Sequence, residues 1–278
     1  MSIITLTTDL GYTDHKVAAI KGNILSLNFD AKIIDISHNI QPHNLLETSY
    51  IVRNAYKHFP KNSIHIIAVD ALYHPSRRFL LCKVNGHFFL TADNGLLSLI
   101  FFDLKPESIF EITINNRFDD VIKCSILYIL LPVANHLLNG GVPELIGRKI
   151  NEPKELSLPK AQFLPNENMI VGEVIYIDHY GNVVSNITQE MFSQSHSGND
   201  EFKITFRNLN IKKIHQHYTE FIKDYQKENK FHGNQLALFN EAGYLEISIY
   251  KGSKNNGAKT LFGLDIGEKI YVEFSKLK

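Results

Sequence analysis

The first half of the chain alternates short runs of apolar, β-branched residues with longer stretches in which apolar residues recur at helical spacing. The longer stretches His15–Leu27 and Asn44–His58 predict amphipathic helices. The short runs predict strands, at Ile3–Thr8, Lys32–Ile36, Ile64–Val69, Leu80–Val84 and Phe88–Leu90. Strands that alternate with helices at this spacing favour an α/β fold with a mostly parallel sheet and helices on both faces.

The second half of the chain has a different pattern, because it is rich in strands. Polar residues around Pro159 and Pro165 predict a linker at about residues 156–167, between a first domain of residues 1–155 and a second of residues 168–278. The simplest fold for the second domain is a small antiparallel β-barrel. Its predicted strands are Met169–Ile177, Glu201–Phe206, Leu245–Tyr250 and Lys269–Phe274.

The charge balance of the 278-residue chain argues against two classes of partner. Lys and Arg number 29, as do Asp and Glu, so there is no basic surplus to bind nucleic acid or an anionic membrane surface. We therefore expect the partner to be a small molecule or another copy of the chain. Cys82 and Cys124 lie in apolar runs and are predicted to be buried thiols. The longest apolar stretch, Ile126–Ala134, is too short to span a bilayer, and together these features predict a cytoplasmic protein.

The first candidate site follows the first predicted strand, in the segment Thr7–Asp14. In open α/β sheets ligands bind at the carboxyl ends of strands, and the carboxylate of Asp9 can accept hydrogen bonds from two ribose hydroxyls. The alternative is that Asp9 caps the following helix. The segment also resembles the acidic first loop of calcium-dependent nucleoside hydrolases. Its two acids are fewer oxygen ligands than a hard cation requires, so no metal site is predicted.

Three further segments place polar residues next to apolar runs. Asp70 follows the most apolar strand and can pair with Arg77, which either keeps the carboxylate ionised for function or only fixes a loop. Asn94 lies in a polar turn before an apolar helix, where it either binds a ligand or only forms the turn. In the second half, Tyr180 offers an aromatic face and Asn182 a donor and an acceptor that match an adenine edge. That segment is equally typical of a hairpin turn.

In this order and at these separations, the four segments resemble the S-adenosylmethionine hydroxide adenosyltransferase family, which is related to the fluorinase and chlorinase. Matching residues extend from Ile3–Thr8 to Gly243–Ile247 and include Lys21-Gly22 and Asp35–His38. The resemblance implies a Rossmann-like N-terminal domain and a C-terminal β-barrel domain. It implies a homotrimer with the ligand held between the N-terminal domain of one subunit and the C-terminal domain of its neighbour. S-adenosylmethionine is then the substrate, attacked at the ribose C5′ carbon, and no cofactor is expected.

The resemblance also assigns substrate-binding roles to the matching positions. Asp9 is expected to bind the ribose, Asn182 to bind the adenine edge, and Tyr180 to pack on the base. Asp178 takes the position of an acid that faces the methionine amino group. Asn94 is the remaining candidate for substrate binding.

The group of residues that holds the attacking water is where the chain departs from the family. Asp70 and Arg77 correspond to two of the three polar residues in that group. The third is normally a His in a Thr-Phe-His-Gly-Arg-Asp segment. When the chain is aligned on the Pro that follows, this segment falls on Lys123–Tyr128 and the His position on Ser125. His74, in the loop after Asp70, is an alternative for the missing role, because imidazole changes charge near neutral pH.

These residues predict an S-adenosylmethionine hydrolase that forms adenosine and methionine. Ser125 at the His position leaves open a second function, a weakly catalytic protein that binds S-adenosylmethionine or adenosine as a sensor or scavenger. The family's Ser-Arg pair near the methionine carboxylate is replaced by Glu241-Ala242, which leaves open a related activity on another adenosyl compound. An enzyme similar to the nucleoside hydrolases is the remaining alternative.

Overall fold

The computed structural model describes residues 3–113, 124–196 and 200–276. The chain divides into two compact units, residues 1–158 and residues 159–278, and each unit has its own sheet and its own apolar core. Within the described residues, no helix combines the length and the apolar character needed to cross a bilayer.

The described part of the first unit is built on a seven-stranded sheet. Its strands are β1 (Ile3–Thr8), β2 (Lys32–Ser37), β3 (Ile64–Ala68), β4 (Phe79–Val84), β5 (His87–Ala92), β6 (Ser108–Ile112) and β7 (Gly147–Lys149). Its helices are α1 (Lys16–Leu27), α2 (Leu45–Tyr56), α3 (Leu96–Ile100) and α4 (Leu131–Leu138), which continues a π-helical turn at Ile126–Leu130. A 3-10 turn at Pro143–Leu145 precedes β7. The α/β class predicted for this half of the chain is confirmed.

The prediction of a mostly parallel sheet is wrong. The order across the sheet is β2-β1-β3-β5-β4-β6-β7, and only the pairs among β2, β1, β3 and β5 are parallel. The pairs β5–β4, β4–β6 and β6–β7 are antiparallel. The physical reason is the two-residue turn Asn85-Gly86, where both residues have positive φ (50° and 76°). So short a connection reverses the chain and joins β4 and β5 as a hairpin.

The centre of this sheet is covered on both faces, so β3 is buried along its whole length. Successive residues of a strand point to opposite faces. Ile66 and Leu81 accordingly pack with residues of α1 and α4, whereas Ile67 and Leu80 pack with residues of α2 and α3. The carboxyl ends of β1 and β3 are thereby held on a rigid base.

The two cysteines are free thiols. Cys82 on β4 is fully buried, and burial raises the pKa of its thiol to about 12. Cys124 is only half-buried, so the expectation of two buried thiols is confirmed for Cys82 alone.

Two imidazoles are buried inside the sheet of the first unit. Thr5 Oγ1 lies 2.7 Å from Nδ1 of His65, whose Nε2 lies 3.2 Å from Nδ1 of His87. The ring of Phe89 stacks on His65 with 4.8 Å between ring centroids. Burial, together with the neighbouring His87, lowers the pKa of His65 to about 3. Burial also lowers the pKa of His87.

Acidification is expected to destabilise this unit through His65. Its folded-state pKa lies below the unfolded value, so the stability is complete above about pH 6.5 and declines as the pH falls towards the folded pKa. Between about pH 6.5 and about pH 4, the free energy of unfolding should fall by on the order of 3 kcal/mol, because the unfolded chain binds a proton that the folded chain excludes.

Denaturant unfolding at a series of pH values measures this effect. The decline between about pH 6.5 and about pH 4 should be smaller in His65→Gln than in the wild type, whereas His58→Gln, at an exposed position, should show the wild-type decline. An unchanged pH slope in His65→Gln would contradict the assignment.

The described strands of the second unit form one continuous sheet. They are β8 (Gln162–Leu164), β9 (Met169–Ile177), β10 (Val183–Thr188), β11 (Asp200–Phe206), β12 (Leu209–Ile211), β13 (Ile214–His215), β14 (Gln235–Phe239), β15 (Tyr244–Ile249) and β16 (Lys269–Lys276). The order is β12-β11-β16-β9-β10-β15-β14-β13, with β8 beside β9. Among the described strand pairs of this second sheet, only β13–β14 is parallel. The sheet is nearly closed and barrel-like, since β12 approaches β14.

Short helical segments accompany this second sheet, whose interior is apolar. They are α5 (Gln189–Ser195), α6 (Ala258–Phe262) and a 3-10 segment at Tyr225–Phe231. Phe206, Ile247 and Val272 belong to the core that the sheet surrounds. The hairpin between β9 and β10 carries the predicted residues Asp178, Tyr180 and Asn182.

Candidate active site

Asp9 lies directly after β1 and joins two other segments of the first unit. Its Oδ2 accepts hydrogen bonds from the backbone N–H of His43 (3.0 Å) and of Asp70 (3.3 Å). No hydrogen bond to Oδ1 is found within the described ranges. The alternative that Asp9 caps the next helix is wrong, because α1 begins after His15 and no side chain caps it.

Both backbone donors to Asp9 have left-handed conformations. The φ angle is 63° at His43 and 45° at Asp70, a region that residues other than glycine rarely adopt. A carboxylate that accepts from both N–H groups stabilises these two conformations together. Asp9 is therefore part of the local architecture as well as a candidate ribose ligand.

Asp70 lies just beyond β3, and its carboxylate has a basic side chain on each side. His43 Nδ1 lies 3.1 Å from Oδ1, and Arg77 Nη2 lies 3.5 Å from Oδ2. Arg77 Nη1 also donates to the carbonyl oxygens of Asp70 (2.8 Å) and Leu72 (3.1 Å). Arg77 thus holds the loop and balances the carboxylate charge, so both roles weighed from the sequence are compatible with its position.

Asn94 and Ser125 hold the backbone around Asp70. Asn94 is buried, and its Nδ2 donates to the carbonyl oxygens of Val69 (3.1 Å) and Asp70 (3.3 Å). The buried Ser125 Oγ donates to the carbonyl oxygen of Ala71. Lys123, the first residue of the aligned segment, lies outside the described residues. The hydroxyl at the family's His position is thus engaged with the backbone.

A cavity of about 760 Å³ opens beside these residues in the first unit. Asp70, His74, Arg77 and Asn94 are among the residues that line it. The Nδ1 atom of His74 lies 2.8 Å from Ser76 Oγ and accepts a hydrogen bond from Ser76 N, so one ring nitrogen is engaged within its own loop. The structure therefore brings four predicted residues to one cavity.

A polar cluster holds the loop that carries Asp9. Tyr12 donates to Asp35 Oδ2 (3.1 Å), and Lys21 Nζ lies 2.5 Å from the same oxygen. Burial raises the pKa of Asp35, but hydrogen bonds from Lys21 and His38 together lower it by more than burial raises it, so the net shift is downward. The matching segments Lys21-Gly22 and Asp35–His38 thus meet in space and support the site.

The predicted residues of the second unit form a tight hairpin turn. Asp178 Oδ1 accepts from the backbone N–H groups of Tyr180 and Asn182, both at 2.8 Å, and Oδ2 accepts from Asn182 Nδ2 at 2.9 Å. Gly181 has a φ of 77°, as the turn requires. The hairpin reading of this segment is confirmed, and the turn fixes the orientation of the Asn182 amide.

The same turn leaves one strong acceptor without a partner. Asn182 is 5% exposed, and its Oδ1 has no hydrogen-bond partner among the described residues. Tyr180 beside it is 61% exposed, so its ring is open. A buried, unpaired carbonyl is costly unless something donates to it, and this favours a ligand with an N–H group at this position.

A buried carboxylate lies near the turn on β15. Glu246 accepts from Tyr218 Oη (2.5 Å), Ser248 Oγ (2.6 Å) and Asn240 Nδ2 (3.3 Å). Burial, and to a smaller extent the charge of Asp178, raises the pKa of Glu246. Three side-chain donors thus hold the Glu246 carboxyl group in place on β15. Nowhere in the part of the chain that the structure describes is a group of three or more His, Cys, Asp or Glu side chains arranged to hold a metal ion.

Comparison with known proteins decides the family. The SAM hydroxide adenosyltransferase N-terminal domain matches residues 4–147, and the C-terminal domain of the same family matches residues 172–271. The chain belongs to the SAM hydroxide adenosyltransferase family. The family predicted from the four sequence segments is thereby confirmed.

Relatives of the SAM hydroxide adenosyltransferase family match over most of the chain. An (R)-S-adenosyl-L-methionine hydrolase of Methanocaldococcus jannaschii is 29% identical over 98% of this chain and 96% of its own length. A fluorinase of Actinopolyspora mzabensis is 23% identical over 68% of this chain and 72% of its own length. The crystal structure of an uncharacterized conserved protein from Thermotoga maritima is 25% identical, with a TM-score of 0.83. It covers 97% of this chain and 99% of its own.

His43 is the residue that sequence reasoning missed in this member of the family. It lies between Pro42 and Asn44, and Asn44 caps α2 by accepting from Glu47 N at 3.1 Å. The sequence signal was weak, because a single His before a helix cap has no characteristic spacing to Asp9 or Asp70. Only the fold shows that the His43 imidazole contacts the Asp70 carboxylate.

Proposed function

We propose that the protein is an S-adenosylmethionine hydrolase that forms adenosine and methionine. The observation that carries this proposal is the group of Asp9, Asp70 and Arg77, which lies beyond the ends of β1 and β3 in a chain of this family. The extended similarity to an (R)-S-adenosyl-L-methionine hydrolase supports the same reaction.

The reaction requires placement of a water molecule more than acid catalysis. A sulfonium is already a good leaving group, so nothing has to protonate the sulfur. The water oxygen must lie in line with the C5′–S bond, about 3 to 3.5 Å from the carbon. Asp70 can accept a hydrogen bond from this water, and Arg77 can stabilise hydroxide character. This pair therefore orients the water.

The binding residues divide the substrate between them. Asp9 accepts from the ribose hydroxyls, Tyr180 packs on adenine, and the unpaired Asn182 Oδ1 accepts from the exocyclic amine. Asp178 uses three acceptor positions in the turn, and a carboxylate offers about four, so one remains for the methionine amino group. Asn94 supports the cavity wall through the backbone of Asp70.

The proposed assembly rests on the family resemblance, and the proposed location rests on the sequence pattern. A homotrimer with sites between subunits and a cytoplasmic location are part of the proposal, as are a Rossmann-like first domain and the absence of a cofactor. Ser125 and His74 remain predictions for the third polar group of the water site.

One observation favours a second candidate, a protein that binds S-adenosylmethionine or adenosine with little turnover. Ser125 stands where the family has His, and its hydroxyl donates to Ala71. A hydroxyl so engaged is a poor replacement for an imidazole that exchanges protons with solvent.

The decisive experiment follows product formation from S-adenosylmethionine in water labelled with heavy oxygen, with the two sulfonium epimers supplied separately. The hydrolase should yield equal amounts of adenosine and methionine, with the label in the 5′-hydroxyl of adenosine. Calorimetric binding without product would support the binding protein instead. Release of free adenine from nucleosides would indicate the nucleoside hydrolase. The absence of both binding and turnover would refute the adenosyl assignment.

Asn182→Leu is expected to raise the dissociation constant for adenosine by about tenfold to a hundredfold, since a polar contact in a buried site contributes about 1 to 3 kcal/mol. Isothermal calorimetry measures the change. Asn234→Leu, at an exposed position of the same unit, is the matched control and should bind as the wild type does. Equal affinity in Asn182→Leu would remove this residue from adenine recognition.

A further inference from the structure

The geometry points to His43 as the proton acceptor for the attacking water, acting as a dyad with Asp70. This inference rests on the proposed hydrolase function. It assigns to His43 the role of the third polar group at the attacking water, for which the family resemblance left Ser125 and His74 as candidates.

The contact between the two side chains fixes which ring nitrogen is available. His43 Nδ1 lies 3.1 Å from Asp70 Oδ1, and an ionised carboxylate can only accept a hydrogen bond. The proton of a neutral imidazole is therefore placed on Nδ1, and the lone pair is left on Nε2. An Asp that holds a His in this tautomer is the arrangement by which a carboxylate orients a general base.

The position of His43 is fixed by its backbone, while its ring remains accessible. Its N–H donates to Asp9 Oδ2 at 3.0 Å, and its φ of 63° is an unusual conformation for a side chain of this size. The side chain is 61% exposed, in contrast to the buried Ser125. His43 is thus tied to the proposed ribose ligand and the proposed water ligand, with its imidazole open to a bound molecule.

The other groups around Asp70 are less suited to take a proton. Arg77 is a permanent cation with no acceptor. Ser125 donates to Ala71, and His74 Nδ1 is engaged with Ser76. Of the described side chains in contact with the Asp70 carboxylate, His43 is the one with a titratable acceptor nitrogen.

The step balances without any further reactant. The water oxygen forms a bond to C5′ while the C5′–S bond breaks, and its electron pair goes to the sulfur of the departing methionine. One water proton moves to His43 Nε2, and the other remains on the new 5′-hydroxyl. The sulfonium charge disappears as an imidazolium charge appears beside Asp70, and solvent later removes the proton.

The charged groups that face His43 favour this transfer on balance. They are the Asp70 carboxylate at its ring, the Asp9 carboxylate at its N–H, and Arg77 on the far side of Asp70. In the segment that carries His43, the Glu47 carboxylate accepts a hydrogen bond from the backbone N–H of Gln41. The nearest charges are negative, so they stabilise an imidazolium.

The test compares His43→Gln with His58→Gln, in which an exposed histidine elsewhere in the unit receives the same change. His43→Gln should lower kcat for adenosine formation by about a hundredfold or more, while KM changes by less than about threefold. The acidic limb of the pH–rate profile that belongs to a histidine should disappear. His58→Gln should keep the wild-type kcat, KM and profile.

Rescue separates proton transfer from a structural role. Glycine is compatible with a φ of 63°, so His43→Gly should fold and leave space for added imidazole. Imidazole in the buffer should then restore activity in proportion to its neutral fraction. A wild-type profile in His43→Gln, or a slow His43→Gly variant that imidazole does not restore, would overturn the inference. Both outcomes are distinct from failure of the hydrolase proposal, in which the wild-type protein itself forms no adenosine.

Discussion

Asp70→Asn is expected to lower kcat for adenosine formation by a factor of about 10² to 10⁴, the range usual for loss of a positioned acid–base group. The variant keeps the size of the side chain and an oxygen near His43 and Arg77, so the loop should stay folded. What it removes is the negative charge that orients the His43 tautomer, aligns the water and stabilises the imidazolium. The effect should therefore appear in kcat more than in KM.

The matched control removes another Asp charge from an Asp–Arg pair in the same unit. Arg53 contacts Asp103 through two hydrogen bonds of 2.8 and 2.6 Å. Asp103→Asn removes the negative charge from this pair, which does not line the cavity. Its kcat should equal that of the wild type. If Asp70→Asn retained kcat within about threefold while its circular dichroism remained native, Asp70 would have no part in the chemistry.

Asp9→Ala is expected to reduce kcat/KM by about 10² to 10⁴. The estimate takes two lost hydrogen bonds from the ribose hydroxyls at about 1.5 to 3 kcal/mol each, the range for bonds to a charged group. The reduction should be larger than for a simple binding residue, because His43 and Asp70 both lose the acceptor for their backbone N–H groups. Steady-state kinetics measures the reduction in kcat/KM, and calorimetry with adenosine measures how much of it comes from weaker binding of the ribose.

Asp9→Asn separates ligand binding from local architecture. The amide oxygen can still accept from the two N–H groups, but the charge is lost and an NH₂ group replaces the second oxygen. This variant should unfold at nearly the wild-type temperature while binding adenosine more weakly. Equal adenosine affinity in wild type and Asp9→Ala would contradict the assignment of Asp9 to the ribose.

The fold was predictable wherever it depends on local pattern. Strands β1 and β9 begin and end at the predicted residues, because runs of β-branched side chains are a local signal. The direction of neighbouring strands is not local in the same way. Asn85-Gly86 is a typical hairpin turn sequence, but its consequence, an antiparallel half of the sheet, depends on which strands add beyond β4.

The candidate site shows the same division. Asp9, Asp70 and Arg77 could be found because they follow apolar strands, and the ends of neighbouring strands lie together. His43 could not, because its contact with Asp70 depends on a left-handed backbone conformation that no spacing encodes. Ser125 illustrates the opposite case, since alignment gives its position but not the carbonyl to which its hydroxyl donates.

The two left-handed residues that share the Asp9 carboxylate have a consequence for the unliganded protein. Such conformations cost on the order of 1 kcal/mol or more each, and here the cost falls on folding instead of on ligand binding. The site is thus preorganised: His43 and Asp70 already have the geometry that they need, so a substrate loses little of its binding energy to rearrangement. The strain makes the fold less stable, but the catalytic group does not have to be assembled again in each turnover.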